Sequence, residues 1–132
     1  MAIQVVLVYK PNSTLDNLRS IVDAERDMEV VADAGDGRSA VHLAIEMKPE
    51  IVVMGLLLPR LNTFEATRRI TNEHNGTRVV IIGKYTDKFI IDQVLEVGAS
   101  NYILLENACK ELPKAIRTAL HGSDYVCHDP DE

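Results

Sequence analysis

Residues 77–87 read TRVVIIGKYTD, with four branched apolar residues in a row from Val79 to Ile82 and a glycine directly after them. Such a run is too short for a helix, and it lacks the apolar/polar alternation of a strand with one wet face. It suits a strand buried on both faces, as in a parallel sheet covered by helices on each side. Runs of the same kind lie at Ile3 to Val8, Met28 to Ala34, Ile51 to Met54 and Tyr102 to Leu104. The intervals carry helical spacing, beginning with Leu15, Leu18, Ile21 and Val22 on one face at three- and four-residue steps.

Start and stop signals divide the chain in the same places. Ser13 with Asp16 fits a short-acid capping box, Asp36-Gly37 opens a second helix, and Asn62 with Glu65 opens a third. Lys48-Pro49, His74-Asn75-Gly76 and Gly98 each set a helix breaker before the next strand. The last helix is expected from about Cys109 to His121, ending at Gly122, with Pro113 predicting a kink or a late start. Strands alternating with helices imply an α/β fold with right-handed crossovers, a doubly wound three-layer sandwich on a five-stranded parallel sheet.

A chain of 132 residues suits one domain, here 1–121, with an acidic tail or linker start over 122–132. Cys109 and Cys127 form neither a CxxC pair nor a zinc pattern, and a reducing cytoplasm is expected. No apolar run approaches the ~18 residues of a membrane span. The net charge of −6, with 20 acids against 14 bases, argues against nucleic-acid binding by this segment. The adjacent Arg68 and Arg69 read as a solvated helix face, and the absence of Trp disfavours base-stacking platforms.

In a doubly wound sheet the functional crevice lies beyond the carboxyl ends of the strands. Those ends carry Tyr9 and Lys10, Gly55, Gly83 and Lys84, and Leu105 and Glu106. The set holds no paired carboxylates, no nucleophile beside a base and no metal-ligand cluster, so neither an enzyme nor a cofactor or metal site is expected.

The ordered phrases LVYKP, DAGDGRSAVHLA, PEIVVMGLLLPRLNTFEATRRI, TRVVIIGKYTD, VLEVGASNYILLENA and ELPKAIRTAL are similar to response-regulator receiver domains of the NarL/LuxR type over residues 3–121. The resemblance implies the flavodoxin-like, CheY-like (βα)5 architecture. It also implies two magnesium-binding acids after the first strand, a phosphate-accepting aspartate after the third, Thr or Ser after the fourth and Lys after the fifth. Those positions here are Tyr9 and Lys10, Gly55, Gly83 and Leu105. Scaffold positions are kept: Pro59, Gly98-Ala99, and Tyr102, which matches the aromatic that reports activation in working receivers. The expectation is an atypical receiver, degenerate at its phosphorylation site.

Leu105 suits a crevice that no longer holds a charge. Gly55 and Gly83 admit two readings, a turn or close backbone approach, or room for a bulky group. That group is either the Tyr9 ring or an external small molecule held among Tyr9, Leu57, Gly83, Lys84 and Glu106. Lys10 either pairs with an acid such as Glu106 or is solvated. His42 and His74 are assigned no role, and Cys127-His128-Asp129 cannot converge on one ion without partners.

Three functions follow in order. The first is a phosphorylation-independent regulatory module, joined through the linker from Gly122 to Tyr125 to a helix-turn-helix DNA-binding domain, and homodimeric, as the resemblance implies. The second is a small-molecule sensor using the emptied crevice, or a stand-alone adaptor. The third, an enzyme, lacks the acids it needs.

Overall fold

The molecule is described here from a computed structural model, which covers residues 2–56, 62–72 and 76–120, together with the backbone of Tyr125 and Val126. The elements run β1 (Ile3–Val8), α1 (Asn12–Asp23), β2 (Met28–Ala34), α2 (Gly37–Met47), β3 (Ile51–Gly55), α3 (Thr63–Asn72), β4 (Arg78–Gly83), α4 (Lys88–Glu96), β5 (Asn101–Leu104), α5 (Ala108–Leu120) and β6 (Tyr125–Val126). The sheet order is β2-β1-β3-β4-β5-β6. Every pair is parallel. The expected α/β sandwich is therefore present, and strand order reverses at the β1/β3 boundary, where a crevice opens.

The apolar runs explain the layers. All residues of β3 and β5, and all of β4 after Arg78, are buried. Alternate strand residues face opposite sides. Val5, Leu7, Val53, Val80 and Ile103 pack with Leu15, Leu18, Leu112 and Ile116 of α1 and α5. Val6, Val52, Ile81 and Tyr102 pack with Ala40, Ala44, Ile70 and Val94 of α2, α3 and α4. Each fully buried aliphatic side chain contributes roughly 1.5–3 kcal/mol, so the two faces together hold the sheet.

Most caps follow their residues. Asp36 accepts from the Ser39 N–H at 2.8 Å, and Asn62 accepts from the Glu65 N–H at 2.8 Å. The expected Ser13 cap is corrected: α1 begins at Asn12 behind Pro11, which makes no side-chain cap, so Ser13 lies already inside the helix. Pro11 in an extended conformation, φ −78° and ψ 168°, sets the entry instead, and its carbonyl accepts from Thr14 and Leu15. Lys48 ends α2 in the left-handed region at φ 47°, and Gly98 after α4 has φ 121°. A Cβ on Gly98 would stand 2.7 Å from the Thr71 hydroxyl, which is why that turn takes no side chain. His74 and Asn75 lie outside the described residues, as do Gly122, Pro59 and the Cys127-His128-Asp129 trio.

Pro113 does not delay the last helix. A 3-10 turn, Leu105–Asn107, leads into α5, which runs through the proline to Leu120. The ring is buried inside that helix. In the tail, expected as a linker or frayed end, Tyr125 and Val126 pair in parallel with Asn101 and Tyr102. Arg117 ties α5 to the turn before β2, reaching Glu25 at 2.6 Å and Asp27 at 2.7 Å.

Candidate functional site

Register brings the carboxyl ends of the central strands level. Val8 stands opposite Met54, Gly55 opposite Ile82, and Gly83 opposite Leu104. The residues that end or directly follow these strands, Tyr9, Gly55, Gly83 and Leu105, therefore form one row across the crevice.

The Tyr9 ring occupies the space above Gly55. A Cβ built on Gly55 would lie 2.8 Å from Cδ2 and 2.9 Å from Cε2 of that ring, distances no side chain tolerates. Tyr9 is 7% exposed, and its backbone N–H donates to the Ala34 carbonyl at 3.1 Å. Burial pushes its phenol above the ordinary tyrosine range. The backbone beneath is held too, since the buried Thr63 hydroxyl donates to the Gly55 carbonyl at 2.7 Å and the Leu56 N–H donates to the Ile82 carbonyl at 3.1 Å. The three heavy atoms nearest to a Gly55 Cβ all belong to the Tyr9 ring.

Gly83 serves a different tyrosine, one that sequence reasoning did not place there. A Cβ on Gly83 would collide with the hydroxyl of Tyr102 and stand 2.9 Å from its Cζ. Tyr102 is fully buried; its hydroxyl donates to the Tyr85 carbonyl at 2.9 Å and accepts from the Tyr85 N–H at 3.2 Å. These two bonds staple β5 to the segment after β4. The available signal was the pairing of β4 with β5, which sets Gly83 one register step beyond Ile82 and Ile103.

Lys10 is exposed, and its stem lies along Gly35, where a Cβ would meet Lys10 Cε at 2.8 Å. Of the two readings of Lys10, pairing with an acid such as Glu106 or solvation, the pairing is not among the ion pairs of the described residues, and the exposed side chain lays its alkyl stem on Gly35. Leu105 is half-buried and packs against the α1/α5 side of the core. A cavity of about 200 Å³ remains, lined by Tyr9, Lys10, Gly55, Gly83, Lys84 and Tyr85 among others. A second hollow of about 310 Å³ shares Gly83 and Lys84 and adds Leu104, Leu105 and Glu106. Leu57, expected at the crevice, lies outside the described residues.

Elsewhere the polar residues make surface pairs. Arg68 and Arg69 both reach Glu65, and His42 contacts Glu46 at 3.2 Å, a carboxylate one helical turn on that the sequence reading overlooked. Cys109 is an exposed free thiol. No described helix is long and apolar enough to cross a membrane.

Residues 5–117 match the family model of the response regulator receiver domain. The chain belongs to that family. The receiver is 30% identical over 124 residues to the transcriptional regulatory protein DegU of Brevibacillus brevis, covering 94% of this chain and 52% of that protein. It is 30% identical over 120 residues to the transcriptional regulatory protein LiaR of Bacillus subtilis (strain 168), covering 91% of this chain and 57% of that one. It thus spans about half the length of these relatives. Among solved structures, a LuxR-family two-component response regulator from Aurantimonas sp. SI85-9A1 superposes with a TM-score of 0.89 at 30% identity, covering 99% of this chain and 92% of that one. The signal receiver domain of a NarL response regulator from Mycobacterium tuberculosis has a TM-score of 0.87 at 21% identity, covering 92% and 98%.

The receiver's own residues do not fit the magnesium ion that the family resemblance implies. Magnesium prefers carboxylate oxygens in an octahedron. After β1 the receiver offers a buried phenol and an ammonium. The acids on the neighbouring strand and turn are engaged elsewhere, Asp33 with Arg19 and Asp36 with the start of α2. Among the described residues no group of three or more His, Cys, Asp or Glu side chains gathers.

Proposed function

We propose that this receiver is a non-enzymatic, phosphorylation-independent regulatory module that acts through protein contacts. The observation that carries the reading is the Tyr9 ring seated on Gly55, which fills the end of β3 where the family resemblance puts the phosphate-accepting aspartate. A glycine offers no oxygen to phosphorylate, and the ring leaves no volume for one. The Tyr102 staple supports the same reading, because it fixes the segment after β4 without any input from the crevice.

The output is proposed from the family. The receiver is the regulatory half of a cytoplasmic transcriptional regulator, followed by a helix-turn-helix domain and working as a homodimer. The exposed apolar side chains beside the staple, Phe89 at 70% and Tyr85 at 41%, supply a surface for protein contact on the last third of the fold.

Incubation with acetyl phosphate and magnesium tests the reading by intact mass. The expected spectrum is unchanged, and a stable adduct of one phosphoryl group sinks the proposal. A second reading, a small-molecule sensor, is favoured by the residual cavity of about 200 Å³.

A further inference from the structure

The hollow at the ends of β4 and β5 combines an apolar floor with charges of both signs. It measures about 310 Å³ and is lined by Gly83, Lys84, Leu104, Leu105 and Glu106. Leu104 ends β5, and Leu105 and Glu106 open the 3-10 turn that follows it. Gly83 contributes backbone alone, so the two leucines are the apolar surface, and Lys84 and Glu106 are the ionisable groups among the described residues. These two side chains share the hollow without joining, for no ion pair links them among the described residues. Opposite charges held apart beside an apolar floor suit a ligand that carries both charges itself, each facing its unlike wall while the apolar part covers the leucines.

We propose that this hollow binds a single apolar α-amino acid as its zwitterion, with the carboxylate toward Lys84, the ammonium toward Glu106 and the aliphatic or aromatic side chain on Leu104 and Leu105. Size selects the class. At ~30 Å³ for each water-sized group, 310 Å³ holds about ten non-hydrogen atoms, the size of one amino acid and well below a nucleotide. Charge selects the zwitterion. A bare anion meets like charge at Glu106, and a bare cation meets it at Lys84. The site therefore differs in kind from phosphate recognition: the resemblance implies a lysine where Leu105 stands, and a leucine offers an anion nothing while giving an apolar side chain a surface to cover.

This inference deepens the small-molecule sensor reading and rests on it. Titration of the full chain with leucine, and separately with phenylalanine, is expected to give saturable amide shifts at Gly83, Leu104 and Leu105, with a dissociation constant on the order of 1 mM for a ligand of this size. Glycine, which lacks the apolar part, and inorganic phosphate, which also lacks the ammonium, should give no saturable shift. Lys84 and Glu106 are exposed, and Lys84→Met and Glu106→Gln should each weaken leucine binding about two- to fivefold while the amide spectrum stays folded. Ligands with one charge tell the two walls apart: Lys84→Met should leave the affinity for leucinamide unchanged, and Glu106→Gln should not weaken that for isocaproate. Absence of saturation with both amino acids, shifts from glycine or phosphate equal to those from leucine, or undiminished leucine binding in both variants would each overturn the site. A sensor must also shift a conformational equilibrium. Saturable binding that leaves the amides of Tyr85, Phe89 and Tyr102 unmoved would uphold the site and end the sensor reading, so the two fail separately.

Discussion

The hydroxyl of Tyr102 fills the volume that a side chain on Gly83 would need, and both of its hydrogen bonds go to the backbone of Tyr85. Gly83 and Tyr102 are therefore one unit. Gly83→Ala is expected to destabilise the domain by about 1–3 kcal/mol through overpacking. Tyr102→Phe removes the colliding oxygen, so the double variant should lose less than the two single changes added together. Urea unfolding of the four proteins measures that coupling, and strict additivity would show that the contact is not felt.

Restoring an acid at Gly55 should not restore phosphorylation. Gly55→Asp forces its Cβ into the Tyr9 ring at 2.8 Å, so a loss of about 1–3 kcal/mol is expected. Adding Tyr9→Ala should recover part of that loss by vacating the ring's space. Intact mass after acetyl phosphate treatment should be unchanged in Gly55→Asp alone, because Tyr9 and Lys10 still supply no metal carboxylates.

Tyr9 should titrate late. Its folded pKa is raised by burial above the ordinary value of 10.0. The stabilising difference is complete below pH 10 and is lost as the pH climbs from there through the folded value. Tyrosinate absorbance on an alkaline titration should show a late component, and Tyr9→Phe should remove it.

The Arg117 clamp gives an acid-side dependence of opposite sign. Hydrogen bonding to Arg117 holds the Asp27 carboxyl below its ordinary value of 3.8. Its contribution is present above pH 3.8 and fades as the pH falls through the lower folded value, while Arg117 stays charged throughout. Arg117→Met should lower the melting temperature at neutral pH. The gap from the parent should narrow in acid.

Lys48 closes α2 with φ 47°, a region that disfavours residues carrying a Cβ. Lys48→Gly removes that penalty but loosens the unfolded chain, so a net gain of about 1 kcal/mol or less is expected in thermal unfolding.

The sheet was legible because its strands are buried on both faces and so appear as uninterrupted apolar runs. Ile3 to Val8 and Met28 to Ala34 match β1 and β2 end to end, β3 and β5 each differ by a residue at one end, and β4 is longer by a residue at both ends. The side-chain cap of α1 was misassigned because Ser13 and Asp16 satisfy a local pattern that Pro11 pre-empts by starting the helix earlier. Pro113 gave no late start: α5 already runs from Ala108, with the proline buried inside it. At the crevice, Tyr9 above Gly55 could be anticipated because Tyr9 directly follows β1 and Gly55 ends the neighbouring β3. The partner of Gly83 could not, since Tyr102 reaches it across the strand pair from the fold's interior, and single-strand patterns carry no such diagonal information. The stem of Lys10 on Gly35 was hidden likewise, because both sit in connecting segments where no periodicity constrains direction.

Tyr125 and Val126 lie beside Asn101 and Tyr102 in the same direction as every other strand. A reversed pairing would have aimed the backbone at the rim where Lys48 and Gly98 turn; a parallel one aims it at the rim that carries Lys84, Tyr85 and Glu106. The short strand thus works as a pointer, and its heading carries the backbone at Val126 toward that rim, with its cavity and its exposed aromatics.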